Sequence, residues 1–289
     1  MTSLLAIAVH LLILTQWLTQ QGTGLTWLTN SCQLDMANNS FDDQYEGCTE
    51  EMEKKAPQLL KEELEMNENL KTEWTTAKRK WEQIKNKNYP KQFNDFHGTA
   101  LVAYTGKIAV EFNKAVREFH QNPQNFQFKA FHYYLTRALQ LLTTGKCYTV
   151  YRGCNIRFSH SGGNVRFGQF ASSSKFKSVA LQFTENKGTL FTIYTCLGVD
   201  IQAFSLFPEE IEVLIPGYEV YQEVTPQNSD KPYNEISLGS PRKFKSNVNC
   251  FYSSTNNSSN FNISGMTVSR AFLLLLPGLL VLLFLPDEL

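Results

Sequence analysis

The chain changes its apolar period once, near Gly145, and that change limits the folds open to it. Before it, apolar residues recur three and four apart. Leu70, Trp74, Ala77, Trp81 and Ile84 form one stripe on an otherwise charged segment, the pattern of a helix with one face in a core. Ile108, Phe112, Ala115 and Phe119 repeat it until Asn122-Pro123, and Phe128–Leu142 predicts a further helix with Phe131, Leu135, Ala138 and Leu142 inward. Helical character reaches back to Tyr45, with Pro57 marking a break or the first turn of a second helix. After Gly145 come short segments rich in β-branched and aromatic residues: Tyr148–Arg152, Val165–Ala171, Thr189–Cys196, Glu210–Ile215 and Tyr218–Val224. Gly153, Gly162-Gly163, Gly188 and Pro216-Gly217 separate them. Helices first and strands later predict an α+β domain, a helical lobe packed beside a mostly antiparallel sheet system.

Both ends read as processing signals. Leu4–Leu14 is a short apolar run followed by Gln20, Gln21 and Gly22-Thr23-Gly24, which predicts a signal peptide over residues 1–24. Ala271–Pro286 is almost wholly apolar, with only Asp287, Glu288 and Leu289 after it and no basic stop-transfer cluster. Small residues, a polar spacer and a terminal apolar tail form the order of a GPI-anchor signal, here residues 256–289, with Asn257, Ser258 and Ser259 as anchor-site candidates. The expected location is the cell surface, tethered to the outer leaflet of the plasma membrane. Sequons at Asn38, Asn256, Asn257 and Asn262 agree with passage through the secretory pathway. Residues 25–255 remain as one domain. Their chain has a net charge of zero, leaving no basic surplus for nucleic acid. Six cysteines in an oxidising compartment predict disulfides, with fifteen pairings open, and no Cys/His spacing points to a metal site.

Three short features in the strand-rich half carry chemistry. In Pro208–Val220, Ile211, Val213 and Ile215 are spaced two apart and would share one strand face, which puts Glu210 and Glu212 together on the other. Paired carboxylates repel, so a strand that keeps both commonly gives them a cation or a developing positive charge to act on. Tyr151-Arg152-Gly153 puts an arginine at a strand end beside a glycine whose backbone a ligand can approach. Phe170-Ala171-Ser172-Ser173-Ser174 ends another strand in hydroxyls, with Ser172 and Ser174 on one face. No G-x-G-x-x-G opens a helix, and P-loop and G-x-S-x-G sequences are lacking, which argues against the common nucleotide folds and the α/β hydrolases.

Together, in this order, the three features resemble the Arg–Ser–Glu set of the arginine-specific mono-ADP-ribosyltransferases. The chain is similar to the GPI-anchored mammalian ecto-enzymes of that family, nearest the T-cell subgroup, over Phe41–Cys250 and both processing signals. Asn94–Leu101, Ala130–Leu142, Arg166–Phe170 and Val213–Tyr218 carry the resemblance further. It implies the family's fold, a helical lobe on a two-sheet β core, and NAD as co-substrate. It implies transfer of ADP-ribose to arginines of extracellular or cell-surface proteins, with nicotinamide released. Arg152 would hold the NAD diphosphate, Gly153 would offer backbone to the carboxamide, and Phe183 would stack on nicotinamide. Ser172 would orient Glu212, which would bind the nicotinamide ribose and stabilise its developing charge. Glu210 would position the acceptor guanidinium. Tyr104, Gln169 and Ser205 would contribute to the NAD pocket, while His97 and His132 would be structural. The implied disulfides are Cys48–Cys250 and Cys147–Cys196. Cys32 and Cys154 depart from that four-cysteine pattern, and Cys154 would share a strand face with Arg152. The alternatives are an NAD glycohydrolase, with water in place of arginine, and a surface antigen that keeps the fold without the chemistry.

Overall fold

The computed structural model describes residues 31–252 except 87, 228 and 229. The expected signal peptide, the anchor signal and the sequons at Asn256, Asn257 and Asn262 lie outside the described residues. No helix among the described residues is long and apolar enough to cross a membrane.

The helical half consists of α1 (Thr49–Met66), α2 (Glu68–Ile84), α3 (Asp95–Tyr104), α4 (Ile108–Arg117) and α5 (Lys129–Leu142). The α2 stripe does what its spacing predicts: Leu70, Trp74, Ala77 and Trp81 are buried, with Ile84 packed at their edge. Trp81 lies flat against Phe204, ring centroids 5.9 Å apart, and its indole N–H donates to Asp95 at 2.8 Å. A methyl group on Gly98 would sit 2.4 Å from that indole, so only glycine lets α3 approach so closely. Pro57 does not break the first helix. It lies inside α1, and the interruption falls at Asn67, whose side chain accepts the Leu70 N–H and starts α2. From His97 to Tyr104 every residue of α3 is buried, which explains why no amphipathic period marks this helix in the sequence. The first turn of α5 is capped from a distance: Glu63 of α1 accepts the N–H groups of Ala130 at 2.8 Å and Phe131 at 3.2 Å. Burial pushes that carboxyl up to about 8, against the pull of those N–H groups.

Among the described residues the β core comprises two hydrogen-bonded sheets. A parallel pair joins β1 (Ser31–Gln33) to β3 (Arg157–Ser159). The main sheet has seven strands in the order β6-β7-β4-β2-β5-β9-β8. These are β2 (Tyr148–Cys154), β4 (Ala171–Ser174), β5 (Thr189–Thr195), β6 (Val199–Asp200), β7 (Glu212–Ile215), β8 (Glu219–Gln227) and β9 (Asn234–Lys243), with a short helix α6 (Lys177–Gln182) between β4 and β5. Pairing is antiparallel except between β5 and β9. The predicted strand Val165–Ala171 is corrected: Val165 makes one isolated bridge to Tyr221, and regular pairing starts at Ala171. Arg166 accounts for the interruption. Its side chain is fully buried and turns into the fold, where Nη1 donates to Asp42 at 2.8 Å and Nε to the Met36 carbonyl at 2.5 Å.

Both implied disulfides are formed, Cys48–Cys250 and Cys147–Cys196. The first spans a sequence separation of 202 and ties the start of α1 to the last described segment. Chain-entropy reasoning gives a closure of that length about 5 kcal/mol of stabilisation.

Candidate active site

Three neighbouring strands of the main sheet, β2, β4 and β7, each deliver one side chain to the site. Pairing sets Tyr151 opposite Ser174 and Ser174 opposite Glu212; Ser172 hydrogen-bonds Glu212 and the Arg152 charge reaches it, so the three meet although up to sixty residues separate them in sequence. Arg152 Nη1 donates to the Ser172 carbonyl at 2.6 Å, and the guanidinium lies 5.9 Å from the centre of the Phe167 ring. No carboxylate lies within salt-bridge distance of Arg152 among the described residues, so its other N–H groups remain available to an anion.

Glu212 is 5% exposed. Burial pushes its carboxyl up to about 7, and the charge of Glu210 adds to this. Hydrogen bonds from Ser172 and Ser205 and the positive charge of Arg152 pull in the other direction. Tyr104, at the end of α3, donates to the Phe170 carbonyl at 3.0 Å and accepts from Asn113 Nδ2 at 3.0 Å. Burial raises its phenol, while hydrogen bonds with Asn113 and Ser172 and the charge of Arg152 pull the other way. The helical lobe therefore buttresses the loop that leads into β4.

Glu210 is placed differently from its expected position. The chain makes a 3-10 turn over Pro208–Glu210, and Ile211 has φ +49°, in the left-handed region. β7 starts only at Glu212, whose four residues are all buried, so the expected alternation of two outward glutamates does not exist. The turn is fixed from β4: the Ser174 hydroxyl donates to the Glu210 carbonyl at 2.6 Å, and Lys175 N–H donates to the Ile211 carbonyl at 3.3 Å. Glu212 is thus buried, while Glu210, near enough for its charge to act on Glu212, stays half-buried, its carboxyl raised by burial and by Glu209. The strain of a β-branched residue at positive φ is localised between the two carboxylates.

A family model described as NAD:arginine ADP-ribosyltransferase matches residues 34–246. The chain belongs to the NAD:arginine ADP-ribosyltransferase family. It is 59% identical to T-cell ecto-ADP-ribosyltransferase 2 of Mus musculus, over 93% of this chain and 94% of that protein. It is 60% identical to T-cell ecto-ADP-ribosyltransferase 1 of Rattus norvegicus, over 83% and 86%. A crystal structure of the eukaryotic mono-ADP-ribosyltransferase ART2.2, a mutant in complex with NAD, superposes with a TM-score of 0.74 at 61% identity, covering 76% of this chain and 99% of that one.

The remaining expected positions of this ADP-ribosyltransferase differ in how directly they meet the site. Gly153 is required by packing: a Cβ there would lie 1.8 Å from the Ala180 carbonyl, so α6 can cross β2 only because the position is glycine. That crossing also brings Phe183, which follows α6 and is 51% exposed, beside the end of β2. Ser205 is buried and accepts the Phe207 N–H at 3.0 Å, besides bonding Glu212. Gln169 accepts a hydrogen bond from Arg117 of α4. Asn113, Arg117 and Phe167 escaped the sequence reading. Asn113 lies next to Phe112 on an apolar helix face, and Arg117 is an ordinary charged residue in a last turn. Neither carries a local signal. His97 and His132 are buried structural residues: His97 closes the capping box of α3, and His132 Nδ1 hydrogen-bonds Tyr45 at 2.9 Å. Cys32 and Cys154 are free, and the Cys154 thiol, raised by burial, sits 3.6 Å from the Thr189 carbonyl.

Proposed function

We propose that this enzyme acts at the outer face of the plasma membrane, held by a GPI anchor, and transfers ADP-ribose from NAD to arginines of secreted or cell-surface proteins. NAD is the co-substrate of the family to which the chain belongs. The observation that carries the residue assignment is the division between one buried carboxylate, Glu212, and one half-exposed in the preceding turn, Glu210.

Bound NAD supplies a ribosyl carbon that becomes electron-poor as nicotinamide departs. Arg152 binds the diphosphate with the N–H groups it does not spend on Ser172. Glu212, ionised, brings a negative charge to the buried side of the site, and in a water-poor setting that charge stabilises the electron-poor carbon far more than it would in solvent. Ser172 and Ser205 hold it in one orientation and favour its ionised form. Tyr104, Gly153, Gln169 and Phe183 complete the cofactor side, Phe183 by stacking on the nicotinamide ring. Glu210 receives the acceptor guanidinium and aims it at the same carbon. Water in place of arginine gives NAD glycohydrolysis as a side reaction. The intact set of Arg152, Ser172, Glu210 and Glu212 argues against a silent antigen.

Glu210→Gln tests the division of labour. It should lower transfer to an arginine analogue by roughly a hundredfold, while nicotinamide release in the absence of acceptor stays within a fewfold of the parent. Arginine modification at the parent rate would remove Glu210 from the acceptor role. The anchor is tested on expressing cells: a phosphatidylinositol-specific phospholipase should release the protein into the medium. Retention on cells that shed a control GPI protein would show another form of attachment.

A further inference from the structure

Three of the four phenylalanines exposed among the described residues border the site. Phe183 follows α6, Phe207 leads into the Pro208–Glu210 turn, and Phe176 precedes α6 with 55% of its surface in solvent. One exposed ring is ordinary on a protein surface, but three on the segments that frame one site mark a surface suited to a partner group. No other ring and no cation packs on Phe176 among the described residues. Its backbone is nonetheless fixed. The Ser174 hydroxyl accepts the Phe176 N–H at 3.0 Å and donates to the Glu210 carbonyl at 2.6 Å, so one oxygen ties both residues together. The neighbouring Lys175 N–H bonds the Ile211 carbonyl.

Charges around this junction favour a cation. Glu209 and Glu210 have no ion-pair partner among the described residues. The two nearby lysines are neutralised, Lys175 by Asp200 at 2.5 Å and Lys177 by Glu235 at 3.0 Å. One junction therefore brings together the backbones of an exposed aromatic residue and of a glutamate pair without ion-pair partners among the described residues. That chemistry suits an arginine side chain, with its charge on a carboxylate and its planar guanidinium or aliphatic stem on the ring.

We propose that Phe176 is a specificity-determining residue for the acceptor: its ring packs on the arginine that Glu210 receives. This rests on the transferase reading above and extends it to a residue outside the Arg–Ser–Glu set.

The test is steady-state kinetics of Phe176→Ala, Phe176→Leu and Phe176→Tyr with a small guanidino acceptor and with NAD. Phe176→Ala and Phe176→Leu should raise KM for the acceptor about 5–30-fold. Phe176→Tyr should restore it, and KM for NAD in acceptor-free hydrolysis should stay within about twofold in all three. An unchanged acceptor KM in Phe176→Ala overturns the inference while leaving the transferase reading intact. Acceptor and NAD parameters worsening together overturn it too, because the ring would then support the site as a whole. A parent that hydrolyses NAD but forms no guanidino conjugate overturns the transferase reading itself.

Discussion

Glu212→Gln should suppress transfer to arginine and NAD hydrolysis together, each by roughly a hundredfold or more, and should make the folded protein more stable above neutral pH. Both effects have one cause. The carboxylate is buried, so its charge is costly at rest and effective when positive charge develops beside it. Hydrolysis and transfer share that charge development and differ only in the attacking group, which is why neither survives. The sign of the stability effect follows from the carboxyl lying near 7 in the fold, above its unfolded value of about 4.5. The native state holds the proton more tightly, so the penalty is absent below pH 4.5, grows across the interval to 7 and is complete above it. Glutamine removes it, a gain on the order of 2–3 kcal/mol at pH 8 and none at pH 4. The same ionisation should appear in the parent's kinetics, with kcat/KM for NAD rising with pH through about 7 and then levelling. Thermal unfolding of parent and variant at pH 4 and pH 8 measures the first effect. A variant that is no more stable than the parent at pH 8 would contradict the burial argument, whatever its activity.

The second large effect is structural. Asp42 and Arg166 form an ion pair whose side chains are both fully buried. Asp42 also accepts the backbone N–H groups of Asn247 and Val248, at 2.9–3.0 Å, and Arg166 donates to the carbonyls of Met36 and Ala37. The pair thus binds the N-terminal segment, the loop leading to β4 and the C-terminal segment. Asp42→Ala leaves an uncompensated guanidinium and two unpaired N–H groups in the interior, which costs about 3–5 kcal/mol. For a domain of this size the melting temperature should fall by roughly 10 °C. A fall below about 2 °C would mean that water or a rearranged neighbour takes over the carboxylate's bonds. Because the Arg166 loop continues through Phe167 to Gln169, residual folded protein should also bind NAD more weakly.

How much of this was legible in the sequence depended on whether the signal was local. The α2 stripe was, because a one-sided helix must repeat its apolar residues at helical spacing. β9 was not: Asn234–Lys243 contains Gly239 and Pro241 and only two buried apolar residues, Ile236 and Leu238, so it reads as a loop until β5 and β8 are placed on either side. Pro57 misled because a proline's effect depends on tertiary support for the helix around it, which no neighbouring residue announces. At the site, Arg152, Ser172 and Glu212 were recognisable through the family's motifs. The relation of Glu210 to Glu212 was mistaken for the opposite reason: alternating residues predict a strand, but Pro208 initiates a turn and Ile211 takes a left-handed conformation. Phe176 carries no motif and stands out only once its exposure and its shared bond to Ser174 are known.

The most direct measurement follows the two halves of NAD separately. The purified protein is incubated with NAD labelled in its adenylate half and with increasing concentrations of a guanidino acceptor, and nicotinamide, free ADP-ribose and conjugate are separated. The account predicts that conjugate rises at the expense of free ADP-ribose, one nicotinamide released for each molecule of the two combined, and that Glu212→Gln forms neither. Nicotinamide release with all label remaining as free ADP-ribose at every acceptor concentration would contradict it, and so would a fully active Glu212→Gln.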